Sequence, residues 1–195
     1  MSEQRMSLAA ALEVLAKLRR DEIVVTTMGA AREWPKHSQS PLDFHYLPSA
    51  MGHAPAFALG LALAQPEREV IAFNGDGCML MGLSVLATIA ASTAKNLTVI
   101  VLDNGIYEVT GGQRTVGGAI GVDYAQVAKA SGIATVHHFS DLAQWQASAA
   151  AILREPGPRF ISLKVQPVGE SFHLPPPEPV KEKHARFQKA IGVSA

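Results

Sequence analysis

The chain has 195 residues, 48% of them hydrophobic, enough to bury the core of one ordinary domain and too few to suggest two. Its 17 Lys and Arg balance 17 Asp and Glu, which excludes a global field for nucleic acid or an anionic membrane surface, so an anionic ligand has to be captured locally. The lone cysteine, Cys78, excludes an internal disulfide and leaves too few thiolates for an iron–sulfur cluster or a cysteine-built zinc site. The opening residues MSEQRMSLAA carry acid and no sustained apolar core, and no apolar run reaches the ~18 residues of a membrane span. A soluble, cytoplasmic protein without membrane or nucleic-acid partners is therefore expected.

Taken in chain order, Leu8, Leu12, Leu15 and Leu18 recur at helical spacing within residues 7–20, with Lys17, Arg19 and Arg20 in the last turn, where the helix dipole favours positive charge. EIVVTTMG at 22–29 is a branched run ending in glycine, the pattern of a strand buried on both faces. A polar and aromatic stretch to Pro48 follows, enough for a further helix and strand of the same sheet, then an Ala/Leu-rich segment at 52–64 and the strand REVIAFN at 68–74. The spacing predicts a helix from about 79 to 94, a strand NLTVIVLDN at 96–104, a glycine-rich loop at 105–121 and a helix opened by Asp123. A strand near 134–139, a helix over 141–154 and the strand RFISLKV at 159–165 complete the series. Strands alternating with helices specify an α/β fold: a three-layer, open, mostly parallel sheet with helices on both faces. Residues 1–170 form this domain, and 171–195, with four prolines between Pro175 and Pro179 and then KEKHARFQKA, form an extended arm and a short polar helix expected to pack on the rim or on a neighbour.

In an open parallel sheet, ligands bind beyond the carboxyl ends of the strands, so the loops there carry the chemistry. Gly75-Asp76-Gly77-Cys78 sits between a strand and a helix; the glycines let backbone approach a ligand, and N–H groups at a helix start suit phosphate. An acid between them makes sense if Asp76 holds a hard divalent cation that bridges to phosphate oxygens. Asp103-Asn104-Gly105-Ile106-Tyr107 ends the next strand, with 25 residues between Gly77 and Asp103, filled by one helix and one strand. That step puts the two strand ends side by side, so the Asn104 amide oxygen can meet the same cation as the Asp76 carboxylate.

GDGCMLMGLSVLATIAASTAKNLTVIVLDNGIY resembles the diphosphate-binding (PP) domain of the thiamine-diphosphate enzymes, marked by a GDG triplet, a helix and strand, and an Asn-Asn or Asp-Asn pair. The resemblance implies thiamine diphosphate and Mg2+ as cofactors. It makes Asp76, the Asn104 side chain and the Ile106 carbonyl the metal ligands, and it puts Gly77 and Cys78 at the diphosphate and Gly75 and Tyr107 among the cofactor-binding residues, with Gly29 a weaker backbone contact to the diphosphate. Asp103 departs from the commoner asparagine, but the second residue of the pair is the ligand. Ser49-Ala50-Met51-Gly52 is similar to the segment that cradles the cofactor's hinge: Met51 would enforce its folded V shape, and the Ser49 carbonyl and Met51 N–H would hold the aminopyrimidine. Outside the resemblance, Met51 reads equally as core filling and Cys78 as a small buried hydrophobe.

LDFHYLPSAMGHAPAFALGLALA, VIAFNGDGCMLM and VIVLDNGIYEVTGGQ are most similar to the sulfopyruvate and phosphonopyruvate decarboxylases of that family. The resemblance implies a 2-oxoacid decarboxylase subunit whose catalytic glutamate comes from a separate, α-type chain carrying the pyrimidine-binding (PYR) domain. A hetero-oligomer with at least two copies of each chain follows. The alternatives are a carboligase of the acetolactate synthase type, a split oxoacid:ferredoxin oxidoreductase, or a non-catalytic subunit of the same fold. Arg114 and Arg32 are candidate contacts for a substrate sulfonate or phosphonate, set against ordinary solvated charges. His53, beside the hinge loop, is the histidine nearest the expected chemistry. Glu108 and residues 109–113 read either as a flexible cover or as a loop that orders over the ligand.

Overall fold

The computed structural model describes residues 4–46, 51–168 and 179–193. The chain builds one six-stranded sheet in the order β2-β1-β3-β4-β8-β7, in which every pairing is parallel. Its strands are β1 (Ile23–Thr26), β2 (Asp43–His45), β3 (Val70–Gly75), β4 (Leu97–Asp103), β7 (Thr135–Phe139) and β8 (Arg159–Lys164). The only antiparallel pair among the described residues is the short ribbon of β5 (Ile106–Tyr107) and β6 (Gln113–Arg114).

Alternation along the strands divides the apolar side chains between two cores, which is why helices cover both faces. Ile23, Val25, Val70, Ala72, Leu97, Val99, Val101 and Phe160 face one core with residues of α3 (Ala54–Ala64), α5 (Val85–Ala91) and α7 (Tyr124–Ala130). Val24, Ile71, Phe73, Ile100, Leu102, Ile161 and Leu163 face the other with α1 (Leu8–Leu18), α2 (Met28–Glu33) and α8 (Leu142–Ile152). On this second face the Trp145 indole N–H donates to the Ala11 carbonyl at 3.1 Å, binding α8 to α1 within the core. This is the three-layer α/β architecture expected from the alternating pattern.

Local signals account for most boundaries. Ser7, Asp123 and Asp141 each accept a backbone N–H three residues on and so begin α1, α7 and α8. The polar stretch before Pro48 contains α2, a 3-10 turn over Trp34–Lys36 and β2. The single helix expected over 79–94 is instead two: α4 (Asp76–Met81), which starts on the GDG triplet itself, and α5. The cause is a close crossing of backbones, since a Cβ at Gly82 would lie 2.3 Å from the Gly52 carbonyl oxygen. Only a glycine lets the hinge loop pass, and the helix breaks there.

The expected glycine-rich loop at 105–121 is partly ordered as well, holding the β5–β6 ribbon, a 3-10 turn over Glu108–Thr110 and α6 (Val116–Ile120). Of the C-terminal arm, α9 (Val180–Ala190) lies against β2 at the sheet edge: Phe187 is buried, its ring centroid 5.0 Å from that of Phe44, and Lys183 donates to the His45 carbonyl at 2.9 Å. No helix of the described residues is long and apolar enough to cross a membrane.

Candidate active site

Chain order reverses direction across the sheet at β1: the next strand, β2, lies on one side of it and β3 on the other. A crevice is expected beyond the carboxyl ends at such a point, and a pocket with about 620 Å³ of empty space, counting the part open to solvent, lies there.

The pocket collects residues from four separate segments. Gly29 follows β1; Gly75, Asp76, Gly77 and Cys78 follow β3; Asn104, Ile106 and Tyr107 follow β4; Met51 comes from the hinge loop. Thus nine of the ten residues assigned to cofactor or metal from the sequence line one cavity. The tenth, Ser49, lies outside the described residues. His53, Arg32 and Arg114 do not line it. His53 is exposed, Arg32 is buried in α2, and Arg114 is an exposed residue donating to the Gly118 carbonyl at 3.1 Å.

Asp76 is the electrostatic centre. Its side chain is 2% exposed, and burial, opposed by a hydrogen bond from Thr115 and reinforced by the Asp103 charge, raises its pKa above the ordinary carboxylate value. The Thr115 hydroxyl donates to Asp76 Oδ2 at 2.6 Å, and the Tyr124 hydroxyl donates to the Asp76 carbonyl at 3.2 Å. Both partners are neutral, and among the described residues no basic side chain pairs with the Asp76 carboxylate. A buried carboxylate without a compensating cation is costly. The chemistry of the pocket therefore suits a group that brings positive charge.

Asn104 is half-buried, with its Oδ1 accepting from the Ile106 N–H at 3.0 Å and its Nδ2 donating to Glu108 Oε2 at 2.8 Å. The neighbouring Asp103 points elsewhere: buried at 2% exposure, it pairs with Lys164 of β8 at 2.8 Å. Asp103 is thus a structural ion pair across β4 and β8, and Asn104 alone of the two lines the pocket. Among the described residues no cluster of three His, Cys, Asp or Glu could hold a metal, so a cation here would depend on mixed oxygens: one carboxylate, one carboxamide and backbone carbonyls, a donor set suited to Mg2+ or Ca2+.

Two further features fit an anionic cofactor. Thr27, at the end of β1, lines the pocket with a buried Oγ1 that has no hydrogen-bond partner; an unmet polar atom of this kind invites a ligand. Gly75 has an ordinary φ of −80°, and a Cβ there would meet nothing within 4 Å, so the fold itself does not require glycine. Gly77 is different, because a Cβ would sit 2.3 Å from the Tyr107 ring. α4 is only six residues long, so its dipole contributes less to anion binding than the long helix expected after GDG, and a cation gains importance accordingly.

Met51 is 42% exposed and lines the pocket, so it is not core filling. Cys78 is 6% exposed, and burial pushes its thiol pKa up, keeping it a neutral apolar neighbour. Sequence reasoning passed over Thr27, Met28 and Thr115. Met28 adopts φ 52°, a left-handed conformation rare for a non-glycine residue, on the pocket wall; the TTMG run at the end of β1 was the available signal. Thr115 reaches Asp76 across 39 residues of sequence, and no local pattern foretells that.

The family model described as "Thiamine pyrophosphate enzyme, C-terminal TPP binding domain" matches residues 22–163. The chain belongs to this family. The match supports thiamine diphosphate, the same molecule, as its cofactor. Its relatives include a phosphonopyruvate decarboxylase of Streptomyces viridochromogenes, 41% identical over 85% of this chain and 41% of that protein. Two sulfopyruvate decarboxylase β subunits match over most of their own length. That of Methanothermobacter thermautotrophicus is 38% identical over 80% of each chain, and that of Methanococcus maripaludis 35% identical over 92% of this chain and 95% of that one. The chain thus spans about two fifths of the phosphonopyruvate decarboxylases it matches. Among solved structures, a Mycobacterium smegmatis chain described as a thiamin diphosphate-dependent enzyme has the same fold, with a TM-score of 0.68 and 24% identity over 83% of this chain and 32% of that one.

Proposed function

We propose that this chain is the diphosphate- and magnesium-binding subunit of a split thiamine-diphosphate-dependent decarboxylase acting on a 2-oxoacid such as sulfopyruvate or phosphonopyruvate. The observation that carries the reading is the extent of similarity: relatives named as separate β subunits are matched over 80% and 95% of their length, whereas the phosphonopyruvate decarboxylases are matched over 41% and 39%. Because those relatives are named as β subunits, the reading includes an α-type partner carrying the PYR domain and the catalytic glutamate, in a hetero-oligomer with at least two copies of each.

When bound, the cofactor supplies the electron storage that lets a 2-oxoacid lose carbon dioxide and leave as an aldehyde. This chain's part is binding and orientation. Asp76, Asn104 and the Ile106 carbonyl would hold Mg2+, with Thr115 keeping the Asp76 carboxylate turned toward the pocket. Gly75 leaves open space, and Gly77, Cys78, Gly29 and the unpartnered Thr27 hydroxyl border it, where they would receive the diphosphate. Met51 and Ser49 would set the cofactor's shape, and Tyr107 would close the wall. Domain limits of 1–170, with 171–195 as an arm, belong to the same reading.

A carboligase would use the same site, and acetolactate synthase isozyme 1 of Escherichia coli is 27% identical over 84% of the chain; the higher identity to decarboxylases favours decarboxylation. The decisive experiment titrates the chain with thiamine diphosphate and Mg2+ by calorimetry, alone and with its partner chain, and follows carbon dioxide and aldehyde from sulfopyruvate and phosphonopyruvate. Release that requires both chains supports the split decarboxylase. Binding without release from either oxoacid, or release with a coupled C–C product, overturns the assignment of reaction, and no Mg2+-dependent binding in any mixture overturns the site.

A further inference from the structure

Among the described residues, the cavity at the carboxyl ends of β1, β3 and β4 has one charged lining residue besides Asp76, and the proposed function gives it no role: Glu108, in the 3-10 turn after β5. We propose that Glu108 is a positioning residue that determines which end of the Asn104 carboxamide meets the cation, an inference that rests on the proposed function.

A carboxamide is nearly symmetric in shape, and a half-turn exchanges its oxygen for its nitrogen. Only the oxygen can ligate a divalent cation. Two neighbours settle the orientation here. Glu108 Oε2 accepts from Asn104 Nδ2 at 2.8 Å, and the Ile106 N–H donates to Asn104 Oδ1 at 3.0 Å. A carboxylate accepts only and a backbone N–H donates only, so turning the amide over would set oxygen against oxygen on one side and N–H against N–H on the other. Oδ1 keeps a second lone pair for a metal.

Glu108 is itself held in place. Its other oxygen, Oε1, accepts from the backbone N–H of Val168, 60 residues further along the chain and just after β8. Oε2 also lies 3.7 Å from the point a Cβ on Gly29 would occupy. The carboxylate is thus wedged between the start of α2 and the segment after β8, and it presents one oxygen to Asn104. Ligand-orienting partners of this kind typically change metal affinity by ~10–100-fold when removed.

The test is a double-mutant cycle on the full chain with its partner, reading Mg2+ affinity by calorimetry at fixed thiamine diphosphate, with the thermal midpoint of the metal-free chain followed alongside. Glu108→Ala should weaken Mg2+ binding at least ~10-fold when residue 104 is asparagine. In an Asn104→Asp background the same change should cost nothing or improve affinity, because an aspartate offers oxygen at both ends and is relieved of a neighbouring carboxylate. Weakening by a similar factor in both backgrounds would make Glu108 a direct ligand and overturn the inference. A lowered midpoint with unchanged affinity would make it structural and overturn it as well. Failure of the unaltered protein to bind thiamine diphosphate with Mg2+ would sink the proposed function itself, and is read separately from the mutant comparison.

Discussion

Gly75 and Gly77 differ by two positions in the GDG triplet, and the structure assigns them opposite vulnerabilities. A methyl at position 77 would start 2.3 Å from Cε1 and 2.9 Å from Cδ1 of Tyr107 and 3.1 Å from the Thr115 methyl, so the Tyr107 ring must move. Overpacking of this kind costs ~1–3 kcal/mol, and at ~2–4 °C per kcal/mol for a chain of this size the metal-free midpoint should fall by roughly 2–12 °C. A methyl at position 75 meets nothing within 4 Å, at a φ of −80° open to alanine. The gain from a stiffer unfolded chain, ~0.4–1 kcal/mol, and the loss of glycine at a helix N-cap, from a few tenths to ~1 kcal/mol, nearly cancel. Gly75→Ala should leave the metal-free midpoint within ~3 °C while weakening cofactor binding at least ~10-fold, equivalent to ~1.4 kcal/mol.

The assay is thermal unfolding with and without thiamine diphosphate and Mg2+, where a ligand at 100 times its Kd adds ~2.7 kcal/mol to the stability of the unaltered chain. That added stability should shrink by about half or more for Gly75→Ala at the same ligand concentration. Two results would refute the reasoning. One is a Gly75→Ala midpoint lowered as far as that of Gly77→Ala, which would mean that the fold, not a ligand, needs the glycine. The other is a full cofactor-induced shift in Gly75→Ala, which would place the diphosphate elsewhere.

Asp76→Asn keeps an acceptor for the Thr115 hydroxyl and removes a charge whose burial is unfavourable. The metal-free midpoint should hold or rise by a few °C, while the Mg2+ dependence of cofactor binding disappears in calorimetry; retained Mg2+ dependence would misplace the cation. Met51→Ala should change the midpoint little, since the side chain is 42% exposed, and should leave diphosphate affinity intact while lowering turnover of the assembled enzyme. Full turnover would remove Met51 from the cofactor's shape. For Cys78, burial raises the thiol pKa, so the reactive thiolate is scarce near pH 8 and appears only as pH climbs past the ordinary thiol range. Alkylation by iodoacetamide should be at least ~10-fold slower at pH 8 in the folded chain than after unfolding in denaturant; equal rates would contradict the burial.

The layers and the pocket-bearing loops were legible in the sequence because they rest on local rules. Branched runs such as TVIVL in β4 favour buried strands, and GDG and DN fall at strand ends by simple counting. What escaped is non-local. The break at Gly82 exists because Gly52, thirty residues earlier, needs the space. The link from Thr115 to Asp76 and that from Glu108 to Val168 join residues 39 and 60 positions apart. Asp103 looked like a blemish in a ligand pair, yet its register opposite Lys164 gives it a different task from that of its neighbour, and side-chain alternation along β4 separates the two. The short α4 is a case where apolar periodicity continued across a break that only packing imposes.

The crossing of Gly52 over Gly82 has a consequence for how this site can vary. The two segments meet backbone to backbone, with Gly52 at φ 84° and its carbonyl where a side chain on residue 82 would begin. Met51, one residue before the crossing, is therefore fixed at the pocket wall through the main-chain packing of its neighbour. The frame behaves like a riveted joint: side chains on the rim can be exchanged to suit different ligands without shifting the hinge loop, whereas one added methyl at residue 82, outside the pocket, would displace the wall from across the joint.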